Sequence, residues 1–197
     1  ASRLKIGDNR ELPIRGIEAR VQVDGFRARV LLDYYFENTD SQQYEGNFTV
    51  RLPPGASPYF LAFGQSKHDL AGIKAQTRLP GKAGKIAWEP EEVMLRRAAN
   101  WIEPKEARIV PKEKAAFAFA ETVRRRVDPA LMEWAGPGMF NAKLFPIAPR
   151  KVHRVVIGYD ANLTPVGDGY EFQLPLPPAG DSTQVHVAVA KANGMSV

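Results

Sequence analysis

The chain contains no cysteine. Disulfides, thiolate metal sites and cysteine nucleophiles are thereby excluded, while the compartment stays open. Within its 197 residues no apolar run approaches the ~20 that a membrane-spanning helix needs, and no signal-peptide pattern is visible. Local catalytic signatures are missing too: there is no G-x-S-x-G elbow, no H-E-x-x-H, no phosphate-binding loop and no dinucleotide fingerprint. Histidine is scarce. His68 sits in a loop-like stretch, and His153 and His186 fall at strand positions that read as outward-looking, with no metal or triad spacing among them. Charge of one sign is not in large excess either. Against 27 Lys+Arg stand 22 Asp+Glu, a formal +5 that allows an acidic partner without demanding one.

What is present suits one domain of many short elements. Hydrophobic residues make up 44%, enough for a real core, and 16 Gly with 16 Pro supply turns. Ala19, Val21 and Val23 alternate with Glu18, Arg20 and Gln22 before Asp24-Gly25, the dipeptide of a two-residue hairpin turn. The returning segment places Ala28, Val30, Leu32, Tyr34 and Phe36 on one face, with Arg27, Arg29 and Asp33 expected toward solvent. Phe48, Val50 and Leu52 alternate likewise until Pro53-Pro54-Gly55 stops the strand. Val155, Ile157 and Tyr159 form another such stripe, then Tyr170, Phe172, Leu174 and Leu176, then Val185, Val187 and Val189. Short strands with one apolar face each predict a mainly β protein, an antiparallel β-sandwich.

The middle departs from this alternation. Pro90-Glu91-Glu92 opens like a helix N-terminus, and Val93, Leu95, Ala98, Trp101 and Ile102 recur at helical spacing, so a short α-helix is expected over about 89–102. A second is expected over about 111–127, where Ala115, Ala116, Ala118 and Ala120 favour the helix and Asp128-Pro129 ends it. Arg124, Arg125 and Arg126 then occupy its last turn, where the helix dipole favours positive charge. At ~100° per residue three consecutive arginines fan around the axis and make no single face. No nucleic-acid motif accompanies them, so no nucleic-acid partner is expected. Trp88 and Trp101, with Phe60, Phe63 and Phe117, flank the irregular middle; they suit either a contact surface or packing of that segment onto the sandwich. The candidate partner surface is Trp88, Arg96, Arg97, Trp101, Arg124, Arg125 and Arg126.

These residues carry a resemblance. Asn38, Glu45, Gly46, Phe48, Leu52 and Pro53 form a first block, and Lys112, Glu113, Ala115 and Ala116 a second. The third and most specific block runs "DPALMEW" (Asp128–Trp134), then Phe140, Phe145, Pro146, Ile147, Pro149, Tyr159 and Leu163. Together, over about residues 13–165, they resemble the vault protein inter-α-trypsin (VIT) domain, most of all its bacterial forms. That domain occurs in inter-α-trypsin inhibitor heavy chains, a vault-associated poly(ADP-ribose) polymerase and many bacterial envelope proteins. The stretch at about 74–107 is longer than the family pattern. The resemblance implies a lead-in at 1–12, a β-sandwich domain at 13–180, and at 181–197 the start of a link to a downstream von Willebrand factor A domain. It further implies a non-catalytic interaction or scaffold module without a cofactor or metal, in the cell envelope or outside the cell. Its partner would be a protein, and membrane contact would come only through an anchor beyond these residues. The alternative from the residues themselves is a carbohydrate-binding or hydrolytic sandwich using a cleft beside the helix. A third reading is a spacer that orients the next domain.

Overall fold

The computed structural model describes residues 2–72, 101–110, 131–177 and 183–190. Fourteen strands are formed among them: β1 (Arg3–Ile6), β2 (Arg10–Leu12), β3 (Ile14–Asp24), β4 (Arg27–Glu37), β5 (Tyr44–Arg51), β6 (Ser57–Ser66), β7 (Trp101–Glu106), β8 (Arg108–Val110), β9 (Leu131–Gly136), β10 (Met139–Ile147), β11 (Val152–Asn162), β12 (Thr164–Val166), β13 (Gly169–Glu171) and β14 (Thr183–Ala190). Two six-stranded sheets result, ordered β2-β1-β5-β10-β9-β8 and β14-β3-β4-β11-β6-β7, with β12-β13 as a separate hairpin. Pairing is antiparallel except at two sheet edges, where β14 runs parallel to β3 and β8 parallel to β9. The mainly β sandwich expected from the alternation is what forms.

The core lies between the two sheets and uses the predicted faces. The second sheet contributes Ala19, Val21, Ala28, Val30, Leu32, Tyr34, Phe36, Val155, Ile157 and Tyr159, all buried, and Phe48, Val50 and Leu52 come from the first. Tyr34, Phe36 and Phe48 meet as an aromatic trio with ring centroids 5.7–6.3 Å apart. Strands β1 and β2, in the stretch expected as a lead-in, join the first sheet. Leu4, Ile6 and Leu12 are buried in the same core, through β1 paired to β5. At Gly46 a Cβ would meet Ile147 Cδ1 at 2.6 Å and Leu4 Cδ1 at 2.8 Å, so this glycine lets the first sheet close over its own side chains.

The second sheet is also covered at the centre of its outer face. Leu31, Phe60, Ala62, Trp101 and Val156 form a second buried cluster there. Asp33, expected in solvent, lies in this layer and is 2% exposed, because Arg154 reaches it with a 3.0 Å hydrogen bond. Trp101 and Ile102 begin a strand and do not end a helix; β7 pairs with β6, and Ala107 N donates to the Leu61 carbonyl. The rest of the 89–102 span and all of 111–127 lie outside the described residues. Downstream, the strand expected through Leu176 is limited to β13. Tyr170 faces outward, exposed, while Phe172, Leu174 and Leu176 still rest against the core.

Candidate functional site

One end of the sandwich is built as a hydrogen-bonded joint. The loop between β4 and β5 starts at Asn38, which is fully buried. Its Nδ2 donates to the carbonyls of Gln42 at 2.9 Å and Ala148 at 3.1 Å, and more weakly to Ile147 at 3.5 Å. Its backbone N–H donates to the Lys151 carbonyl at 3.0 Å, and its Oδ1 accepts from Asp40 N–H at 3.1 Å. A single amide therefore ties the β4–β5 loop to the β10–β11 turn. Leaving such groups unpaired once buried would cost about 1–3 kcal/mol each.

His153 secures the same turn from below. Its Nε2 accepts from Ala148 N–H at 2.9 Å, and its ring stacks on Phe63 with centroids 5.8 Å apart. Accepting through Nε2 requires the neutral ring. Burial holds the imidazole down to about 4, opposed only by the Lys151 backbone. His153 is thus a fully buried turn anchor and not the outward-looking residue expected from its place in the strand. The strand's alternation failed there because both faces of β11 are covered.

Above this joint opens a cleft of about 700 Å³ between the ends of β4, β6, β7 and β11. Lys67, Arg150 and Lys151 bring positive charge to it, and Glu37 and Asp69 bring negative. Gln65, Ser66 and His68 add polar groups, and Leu70, Ile102 and Val152 are among its apolar lining. Both carboxylates have partners. Glu37 pairs with Arg15 at 3.5 Å, and Asp69 Oδ1 accepts from Gly72 N–H at 2.8 Å. Nearby Asp40 is held by Arg10 and by the Tyr44 hydroxyl at 2.6 Å, and those bonds keep its carboxyl below the usual range.

The predicted partner surface fares unevenly. Trp101 is 1% exposed and packs on the outer face of the second sheet, where a Cβ on Gly64 would meet its Cε3 at 3.2 Å. The guanidinium of Arg154 lies 5.2 Å from the centroids of both Trp101 and Tyr35. Trp101 is therefore a packing residue; Phe60 is buried with it, and Phe63 is buried in the core between the sheets. Trp88, Arg96, Arg97, Arg124, Arg125, Arg126 and Phe117 lie outside the described residues. Trp134, at the end of the "DPALMEW" block, sits in β9 and is 37% exposed. Sequence reasoning missed the cleft altogether. Its only signals were the charged runs "SKHD" and "PRK" at strand ends, which look like any solvated turn.

Comparison with known proteins adds no relative: no family model matches the chain, and no curated protein matches it.

Proposed function

We propose that this chain is a non-catalytic protein-interaction module of the vault protein inter-α-trypsin type. It would stand upstream of a von Willebrand factor A domain in an envelope-associated or secreted protein. One observation carries the reading. Within the described residues, Asn38, Phe48, Leu52, Ile147 and Tyr159 of the resembling blocks are each at most 4% exposed and serve the core or the loop joint. Those five residues serve rigidity, which suits a platform whose partners would be met by the residues around them. Trp88, Arg96, Arg97, Arg124, Arg125 and Arg126 are the proposed contact surface, with Trp101 removed from it.

The test is direct binding between this chain and a separately produced von Willebrand factor A domain from the same full-length gene product. Saturable association, weakened by Trp88→Ala or by reversing the charge of Arg124, Arg125 and Arg126, is the expected result. Turnover of glycosides or polysaccharides by the purified chain would instead favour the hydrolytic alternative and overturn the module reading.

A further inference from the structure

Two triplets of the sequence fit the acceptor pattern of N-linked glycosylation, Asn47-Phe48-Thr49 and Asn162-Leu163-Thr164. Each asparagine also follows a carboxylate by two positions, Glu45 and Asp160. That completes the longer acid-x-Asn-x-Thr pattern read by bacterial oligosaccharyltransferases. In sequence the two sites are equal. The fold separates them. A transferase takes its acceptor as a bent segment, so the backbone of the triplet must be able to leave its sheet. Asn47 lies inside β5, paired with Lys5 of β1 on one side and Lys143 of β10 on the other. Phe48 is 1% exposed in the core, and the Thr49 hydroxyl donates to Asn141 Oδ1 at 2.9 Å. Releasing this triplet would break two ladders and draw Phe48 out of the sandwich.

Asn162 is the last residue of β11. It is exposed and pairs with Arg27 on one side, while the ladder to β6 on the other side has already ended at Asp160. Thr164 is exposed too and opens β12, in a hairpin whose residues 164–171 are all exposed. A hairpin of two strands has little stability of its own and opens at small cost. Leu163 ties the triplet down, through its N–H on the Phe26 carbonyl at 2.7 Å and through partial packing on the core. Asp160 is not free, because Arg29 holds it with two bonds. That pair is exposed, and water already competes for it.

We propose that Asn162, and not Asn47, is the site at which the folded chain accepts an N-linked oligosaccharide. In the transfer, Asn162 Nδ2 forms a bond to the anomeric carbon of a sugar carried on a lipid diphosphate. The bond from that carbon to the diphosphate oxygen breaks, the electron pair leaves with the diphosphate, and a proton from Nδ2 passes to a base of the transferase. The module reading supplies the compartment in which this occurs; the accepting geometry does not depend on it.

Incubation of the purified, folded chain with a single-subunit bacterial oligosaccharyltransferase and a lipid-diphosphate oligosaccharide tests this, read by intact mass and peptide mapping. A mass increase of one oligosaccharide, located on Asn162, is expected. Asn162→Gln and Thr164→Ala should abolish it, and Asp160→Asn should slow it by about tenfold or more through loss of the recognised charge. Arg29→Ala, which releases Asp160, should speed transfer severalfold, and Asn47→Gln should leave it unchanged. The proposal is overturned if the folded wild-type chain takes up no sugar, if Asn47 is modified, or if Asn162→Gln takes up as much as wild type. Any of these failures leaves binding to an A domain, the test of the module reading, untouched.

Discussion

Two arginine–carboxylate pairs join the same two strands, β4 and β11, on the same outer face of the second sheet. Arg29 grips Asp160 with two bonds, Nε to Oδ1 at 2.8 Å and Nη2 to Oδ2 at 3.0 Å. Arg154 reaches Asp33 through Nη2 at 3.0 Å. By geometry the first is the better pair. Yet its side chains are 31% and 45% exposed, against 6% and 2% for the second. Water competes for the Arg29 pair whether or not it forms, whereas the Arg154 pair has given up its hydration and depends on its partners. The consequence of breaking a contact is therefore set by where it lies, more than by how well it is formed.

That contrast can be broken at several points. The largest effect is expected from Asp33→Ala, which strands a buried guanidinium beside Tyr35 and Trp101 and should cost about 3–5 kcal/mol in denaturant unfolding. The double variant Asp33→Leu/Arg154→Met should recover most of that loss, because an apolar pair of similar volume carries no desolvation penalty. A double variant as unstable as the single one would show that the charges do more than satisfy each other.

Acid should act on the joint next. His153 is held neutral with a folded value near 4, below the ordinary 6.5. Its contribution is thus complete above pH 6.5 and is lost as pH falls toward 4, up to about 3 kcal/mol for a shift of that size. Unfolding curves across that window should flatten in His153→Gln. An unchanged slope would place the acid sensitivity elsewhere.

A smaller effect is expected at Gly158, beside the exposed pair. An added Cβ would meet Tyr59 Cζ at 2.5 Å, and the Arg29 guanidinium lies 4.3 Å from that ring's centroid. Gly158→Ala should push the ring aside and cost about 1–3 kcal/mol by overpacking. The smallest effect belongs to Arg29→Ala, at most about 1 kcal/mol and diminishing with added salt. A loss there equal to that of Asp33→Ala would remove the distinction between the two pairs.

The inner faces were legible from the sequence because alternation and burial coincide there. Ala28 to Phe36 and Val155 to Tyr159 read correctly, because every second residue of these runs is apolar and turns inward, although Leu31 and Val156 between them are apolar as well. The outer face was not legible. A lone Asp33 or Arg154 in an alternating strand looks solvated, and nothing local shows that the two meet across 121 positions of chain. Trp101 misled for a related reason: helical spacing over a short window can arise by accident, and β7 takes its place from pairing with β6 instead. Asn38 stood out within the family pattern, although its three carbonyl partners come from loops far apart in sequence. The cleft was hidden for the same reason, as its walls are brought together by strand ends.

The position of β11 governs the order in which the molecule can assemble during synthesis. It is an internal strand, inserted between β4 and β6, although both neighbours precede it in the chain by more than eighty residues. β10 is likewise internal in the other sheet, between the distant β5 and the β9 that immediately precedes it. Until β11 has left the ribosome, β4 and β6 each lack the strand that will lie between them, and Asp33 lacks Arg154. The nascent chain must keep those strands from pairing wrongly for most of its translation, and then close both sheets with a segment of little more than twenty residues. The topology thus makes both sheets depend, at their centres, on strands that are synthesised late.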